Sequence, residues 1–197
     1  MQQVIYGAME FRTVVHIASN LRKLSISHAD EILLMGSCFA EHIGRRLVDA
    51  KFRCDVNPFG VLYNPHSIEV ALRQIMANKQ YTEEDLFFYD NHYRSYMHHG
   101  SFADTDSTRT LDTINGRIAR AHRSFGQLKY VLITFGTAWV FSRKATGEVV
   151  SNCHKVPGKE FLRTRMEVEE IVPVGSISSD EVHLPSIFVD RIVKAEL

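Results

Sequence analysis

Ile32-Leu33-Leu34-Met35-Gly36-Ser37-Cys38-Phe39-Ala40-Glu41-His42-Ile43 changes its periodicity part-way along. The first four residues are all apolar and follow the polar run Ser27-His28-Ala29-Asp30-Glu31. They read as a strand buried on both faces, as strands of parallel sheets are. Gly36 ends that run. Beyond it Phe39, Ile43 and Leu47 recur at helical spacing, with Ala40 and Ala50 alongside, which predicts a helix with an apolar stripe. Strand, tight turn and helix in that order put a hydroxyl (Ser37) and a thiol (Cys38) at the carboxyl end of a central strand. The first N–H groups of the helix point at whatever binds there, which favours anions and promotes thiol ionisation.

The chain around this turn has the size and composition of one domain with its own core. It has 197 residues, 45% hydrophobic and 23% charged, with 23 Lys+Arg against 23 Asp+Glu. A net charge of zero gives no basic groove for nucleic acid and no attraction to an anionic membrane. No apolar run approaches the roughly 20 residues of a membrane span, and residues 1–10 lack a charged segment followed by an apolar one. The cysteines are Cys38, Cys54 and Cys153. Their odd number and lack of close spacing fit free thiols in a reducing compartment. The expectation is therefore a cytoplasmic protein, with no nucleic-acid or membrane partner and oligomeric state left open.

Residues 1–30 read as a lead-in, with an edge strand or extended coil at 11–17. Phe52-Arg53-Cys54-Asp55-Val56 reads as a second strand, broken by Asn57-Pro58-Phe59-Gly60. Asn64 followed by Pro65 is a helix start, and Ile68, Leu72, Ile75 and Met76 give that helix one face. Thr82-Glu83-Glu84-Asp85 has the form of a capping box. Asp90-Asn91 sits between two aromatic runs and predicts a hairpin. Leu111, Ile114, Ile118, Ala121 and Phe125 predict a long helix, in which Gly116 costs about 1 kcal/mol relative to Ala. Tyr130-Val131-Leu132-Ile133-Thr134-Phe135-Gly136 is the next buried strand, and a second hairpin turns at Ala145-Thr146-Gly147. Residues 161–171 read as a helix, and residues 185–197 as a last helix.

Gly36-Ser37-Cys38-Phe39-Ala40 resembles the signature of the GSCFA-domain family, related to the SGNH (GDSL-like) hydrolases. Further stretches strengthen the resemblance: residues 57–65 and 133–139, His98-His99-Gly100-Ser101-Phe102, and Asn152-Cys153-His154-Lys155-Val156-Pro157. It spans most of residues 11–172 and implies a three-layer α/β/α sandwich with a parallel central sheet, flavodoxin-like, here with added β-hairpins and a shortened C-terminal half. The chain then divides into the lead-in, a core at 31–172 and a tail at 173–197.

The resemblance implies serine-ester hydrolysis, with a small or carbohydrate-linked ester, acetyl above all, as substrate and no cofactor or metal. In relatives carrying Gly-Asp-Ser the serine stands two residues after the glycine. A gapless match from Gly36 lands on Cys38, and a one-residue shift lands on Ser37. The hydroxyl is favoured, with the thiol as the alternative nucleophile. Asp180-Glu181-Val182-His183 resembles the loop that supplies acid and base, His183 taking the proton and Asp180 orienting it. Backbone N–H groups at the Gly36 turn and Gly60 correspond to the oxyanion donors. Near Gly136, where relatives carry an asparagine, this chain has Thr137-Ala138-Trp139. His99 and His154 are expected to line the substrate site or to serve as structural hydrogen-bonding groups. Two other readings share the same shell: a catalytically inactive interaction or carbohydrate-binding domain, and an O-acyltransferase.

Overall fold

The computed structural model describes residues 25–167, Glu170 and, as backbone, Ile187–Asp190. The opening stretch forms strand β1 (Glu31–Gly36) and helix α1 (Cys38–Asp49), followed by β2 (Arg53–Val56) and α2 (Pro65–Met76). Asn64 caps α2, its side chain accepting from the Ser67 N–H, with Pro65 at the first helical position. Next come the hairpin β3 (Phe87–Tyr89) and β4 (His92–Arg94), then α3 (Ser107–Phe125) and β5 (Leu128–Thr134). Asp90 and Asn91 both take positive φ, at 48° and 56°, as a tight hairpin turn demands. A small antiparallel sheet follows, of β6 (Trp139–Arg143), β7 (Val149–Val150) and β8 (Phe161–Arg165), and β9 (Ile187–Asp190) is the last strand among the described residues.

The central sheet is parallel, in the order β2-β1-β5-β9. Alternation along β1 decides what lies on each face. Leu33 and Met35 join Val131 and Ile133 in a core with Ile68, Leu72 and Ile75 of α2 and Ile114, Ile118 and Phe125 of α3. Ile32 and Leu34 point the other way, into a smaller cluster with Ile43 and Leu47 of α1. Helices thus lie against both faces, and the expected α/β fold with a parallel sheet and added hairpins is the fold observed. Arg117 of α3 ties its layer to the edge of the sheet, donating to both Asp55 carboxylate oxygens and to the Val56 carbonyl.

Two expectations are corrected. Residues 161–165 are a strand, not the start of a helix: only Phe161 of the five is buried, so there is no helical apolar stripe, and the segment pairs with the open edge of β6. Ile187–Asp190 is also a strand, paired in parallel with β5. It is the fourth strand of the central sheet. The segment at 11–17, expected as an edge strand or extended coil, and the Asp180–His183 loop lie outside the described residues. Among the described residues no helix is long and apolar enough to cross a membrane.

Two helical glycines have opposite surroundings. A Cβ on Gly44 would meet the Val56 methyl groups at 2.6 and 2.7 Å, whereas one on Gly116 would meet nothing within 4 Å. In urea denaturation, Gly116→Ala is expected to raise stability by about 0.5–1 kcal/mol. Gly44→Ala is expected to lower it by about 1–3 kcal/mol despite the same gain in helix propensity.

Candidate active site

β1 sits between β2 and β5, and the chain leaves it to one side through α1 before returning on the other. The crevice beyond the carboxyl ends of β1 and β5 is therefore the switch point at which parallel α/β sheets bind ligands. Ser37 stands at this point. It is 8% exposed and is the N-cap of α1, its Oγ accepting from the Phe39 N–H at 3.3 Å. Thr134, the last residue of β5, closes the crevice from the other side. Its Oγ1 lies 2.9 Å from Ser37 Oγ and accepts from the Ser37 N–H at 3.1 Å. Cys38 opens the helix with its side chain exposed.

Gly36 makes this approach possible. Its φ is +132°, and a Cβ there would lie 2.0 Å from the Thr134 carbonyl oxygen. The Gly36 N–H donates to Asn57 Oδ1 at 2.9 Å, and its carbonyl accepts from the Leu62 N–H at 2.9 Å. The segment after β2 thereby grips the Gly36 turn by both backbone groups. Asn57 holds a left-handed φ of 44°, which asparagine tolerates better than most residues.

Gly60, Gly136 and Thr137 lie on the loops that flank the turn, but their N–H groups are engaged. The Gly60 N–H donates to the Asn57 carbonyl at 2.8 Å, and the Gly136 and Thr137 N–H groups both donate to the Tyr63 carbonyl, at 2.8 and 3.2 Å. Gly136 lies beside Ser37, an added Cβ there falling 3.6 Å from its Cβ. Gly60 has φ +80° and accommodates His99, whose Cβ would be 2.2 Å from any side chain at that position. His99 is exposed on a cleft of about 420 Å³ shared with Glu41, Arg45, Asn57 and Gly60. Its Nδ1 accepts from the Ser101 N–H at 3.2 Å. His154 is buried, its Nε2 donating to the Ser95 carbonyl at 2.8 Å, and burial lowers its pKa. It acts as a structural strut. Asp180 and His183 lie outside the described residues.

Three supports carried no distinct sequence signal. Thr134 reads as the last residue of a buried strand, and Asn57 as a turn former. His98 hides within an adjacent histidine pair. It is 1% exposed, stacked on Phe59 at 4.4 Å and 14°, with Nδ1 3.0 Å from Ser95 Oγ. Burial, aided by His154 nearby, pushes its pKa down to about 3.

A parallel α/β protein with a serine at its switch-point turn is the class these features define. The sequence profile of the GSCFA family matches residues 31–181, and the chain belongs to that family. Shorter similarities also occur. The chain is 48% identical over 57 residues to succinyl-CoA:3-ketoacid coenzyme A transferase 2, mitochondrial, of Homo sapiens, covering 29% of this chain and 10% of that protein. It is 60% identical over 30 residues to one subunit of the succinyl-CoA:3-ketoacid coenzyme A transferase of Helicobacter pylori, covering 15% of this chain and 13% of that protein. No solved structure matches the chain.

Two outcomes follow. Asn57→Ala removes the acceptor for a buried N–H and the residue suited to positive φ, and is expected to cost about 2–3 kcal/mol in urea denaturation. His98 binds a proton in the unfolded chain near pH 6.5 but in the folded chain only near 3, so stability falls as pH drops through that window. By pH 5 the loss is about 2 kcal/mol relative to pH 8. His98→Phe keeps the ring stack and is expected to flatten the stability profile between pH 7 and 5.

Proposed function

We propose that the protein is a serine esterase acting on a small-molecule or glycan ester, in the manner of the SGNH hydrolases. The observation that carries this reading is the contact of Ser37 Oγ with Thr134 Oγ1, at 2.9 Å across the sheet's switch point. It puts a hydroxyl where such sheets bind ligands. In the proposed reaction Ser37 Oγ bonds to the ester carbonyl carbon while His183 takes its proton, with Asp180 orienting the imidazole. The C–O bond to the alcohol breaks, and His183 returns the proton to the departing oxygen. Water, deprotonated by the same base, then cleaves the acyl-serine and regenerates the hydroxyl.

The Cys38 N–H is the oxyanion donor this reading favours. It belongs to the first helical turn, whose N–H groups have no carbonyl partner within the helix. The free thiols Cys38, Cys54 and Cys153 fit a cytoplasmic setting.

A second reading is a catalytically inactive binding domain. The engagement of the Gly60, Gly136 and Thr137 N–H groups by backbone carbonyls favours it, because these groups are then spent on holding the loops.

A fluorophosphonate probe separates the readings. Covalent labelling is expected in the native chain and in Cys38→Ala, and is expected to vanish in Ser37→Ala. His183→Ala is expected to lower aryl-ester hydrolysis by roughly 10³-fold or more. The reverse labelling pattern moves the nucleophile to Cys38. Absence of both labelling and hydrolysis selects the binding domain.

A further inference from the structure

A slot of about 150 Å³ opens beside Ser37 between α1 and the ends of β1 and β5. Its walls are Leu34, Phe39, Ala40, Ile43, Leu132, Ile133 and Thr134. Among the described residues of these walls none is charged, and the Thr134 hydroxyl is the one polar side chain. Two walls touch the nucleophile directly. Thr134 Oγ1 lies 2.9 Å from Ser37 Oγ, and the Phe39 N–H donates to that oxygen at 3.3 Å.

Phe39 marks this slot as something other than ordinary core. By its spacing with Ile43 and Leu47 it should be buried. Ile43 and Leu47 do pack on the cluster around Ile32 and Leu34. Phe39 is instead 55% exposed, because the helix begins beyond the end of the strand it covers. A large aromatic ring next to a nucleophile, at the mouth of an apolar slot, has a use if the substrate brings its own apolar group.

We infer that the slot receives the acyl chain of the ester, and that the acyl group is an unbranched aliphatic chain several carbons long, not acetyl. This rests on the esterase reading above and sharpens its substrate class. With the carbonyl carbon at Ser37 Oγ, the chain runs between Thr134 and Phe39 towards Ile43 and Leu132. An acetyl group would leave these walls unfilled. Each methylene moved from water into the slot favours the reaction roughly three- to fourfold, until the slot is full.

The test is a series of p-nitrophenyl esters from acetate to decanoate, run with fluorophosphonate labelling of Ser37. The expected result is a kcat/KM that climbs by at least tenfold from acetate to hexanoate and then levels or falls. Leu132→Phe narrows the slot and is expected to move the optimum to shorter chains. Phe39→Ala, at an exposed position, is expected to reduce the gain per methylene. Labelling at Ser37 with acetate as good as hexanoate, or better, overturns the inference and leaves the esterase reading standing. No labelling and no hydrolysis of any ester overturns both. The chain-length series on the native chain decides the matter even where a variant fails to fold.

Discussion

The site depends on how closely the ends of two parallel strands approach. The Gly36 backbone lies so near the Thr134 carbonyl that a single added carbon would fall 2.0 Å from its oxygen. That contact fixes where β1 ends, and therefore where α1 begins and where Ser37 stands. Only glycine satisfies it, for want of space and because φ is +132°. Asn57 and Leu62 secure the turn from the β2 side by bonding its N–H and carbonyl. Gly60, packed on His99, and the Phe59–His98 stack hold that second loop. The Ser37 position is thus the end of a chain of supports that begins in loops remote from it in sequence.

The same chain explains why the histidines serve structure. His98 and His154 meet at Ser95: one places its Nδ1 against the Ser95 hydroxyl, and the other donates to the Ser95 carbonyl. Both are buried, and burial disfavours their charged forms. A neutral imidazole, flat and able to hydrogen-bond, fits between Phe59 and Tyr81 where a charged one would not. What acid removes is therefore the support of the loop under Gly60.

Much of this was legible in the sequence wherever one local signal dominated. The apolar run at 32–35 and the glycine after it gave β1 and its turn. Asn64-Pro65 marked the start of α2, and Asp90-Asn91 the first hairpin. The failures have a common cause. Residues 161–165 and 187–190 became strands because β6 and β5 had open edges to fill, and an edge is a property of the sheet. Phe39 kept its helical period but lost its burial, because period does not tell where the facing strand stops. Thr134 and Asn57 could not be picked out for a related reason. Their side chains matter for what lies across from them: 97 residues separate Ser37 from Thr134, and 21 separate Gly36 from Asn57.

Thr134 does more than close the crevice. A serine hydroxyl has one proton to donate and two lone pairs. Ser37 Oγ accepts from the Phe39 N–H, which occupies one lone pair. Thr134 Oγ1 already accepts from the Ser37 N–H, and its own proton remains free to point at Ser37 Oγ. That choice fills the second lone pair and leaves the Ser37 proton out of this contact. The opposite choice would turn the Ser37 proton inward and make it a fixed cap. Either hydroxyl can donate in this pair, and Thr134 acting as the donor is the arrangement that the esterase reading requires. A valine at 134 would preserve the shape of the strand but remove this hydroxyl partner, and the Ser37 hydroxyl would be left to its helix.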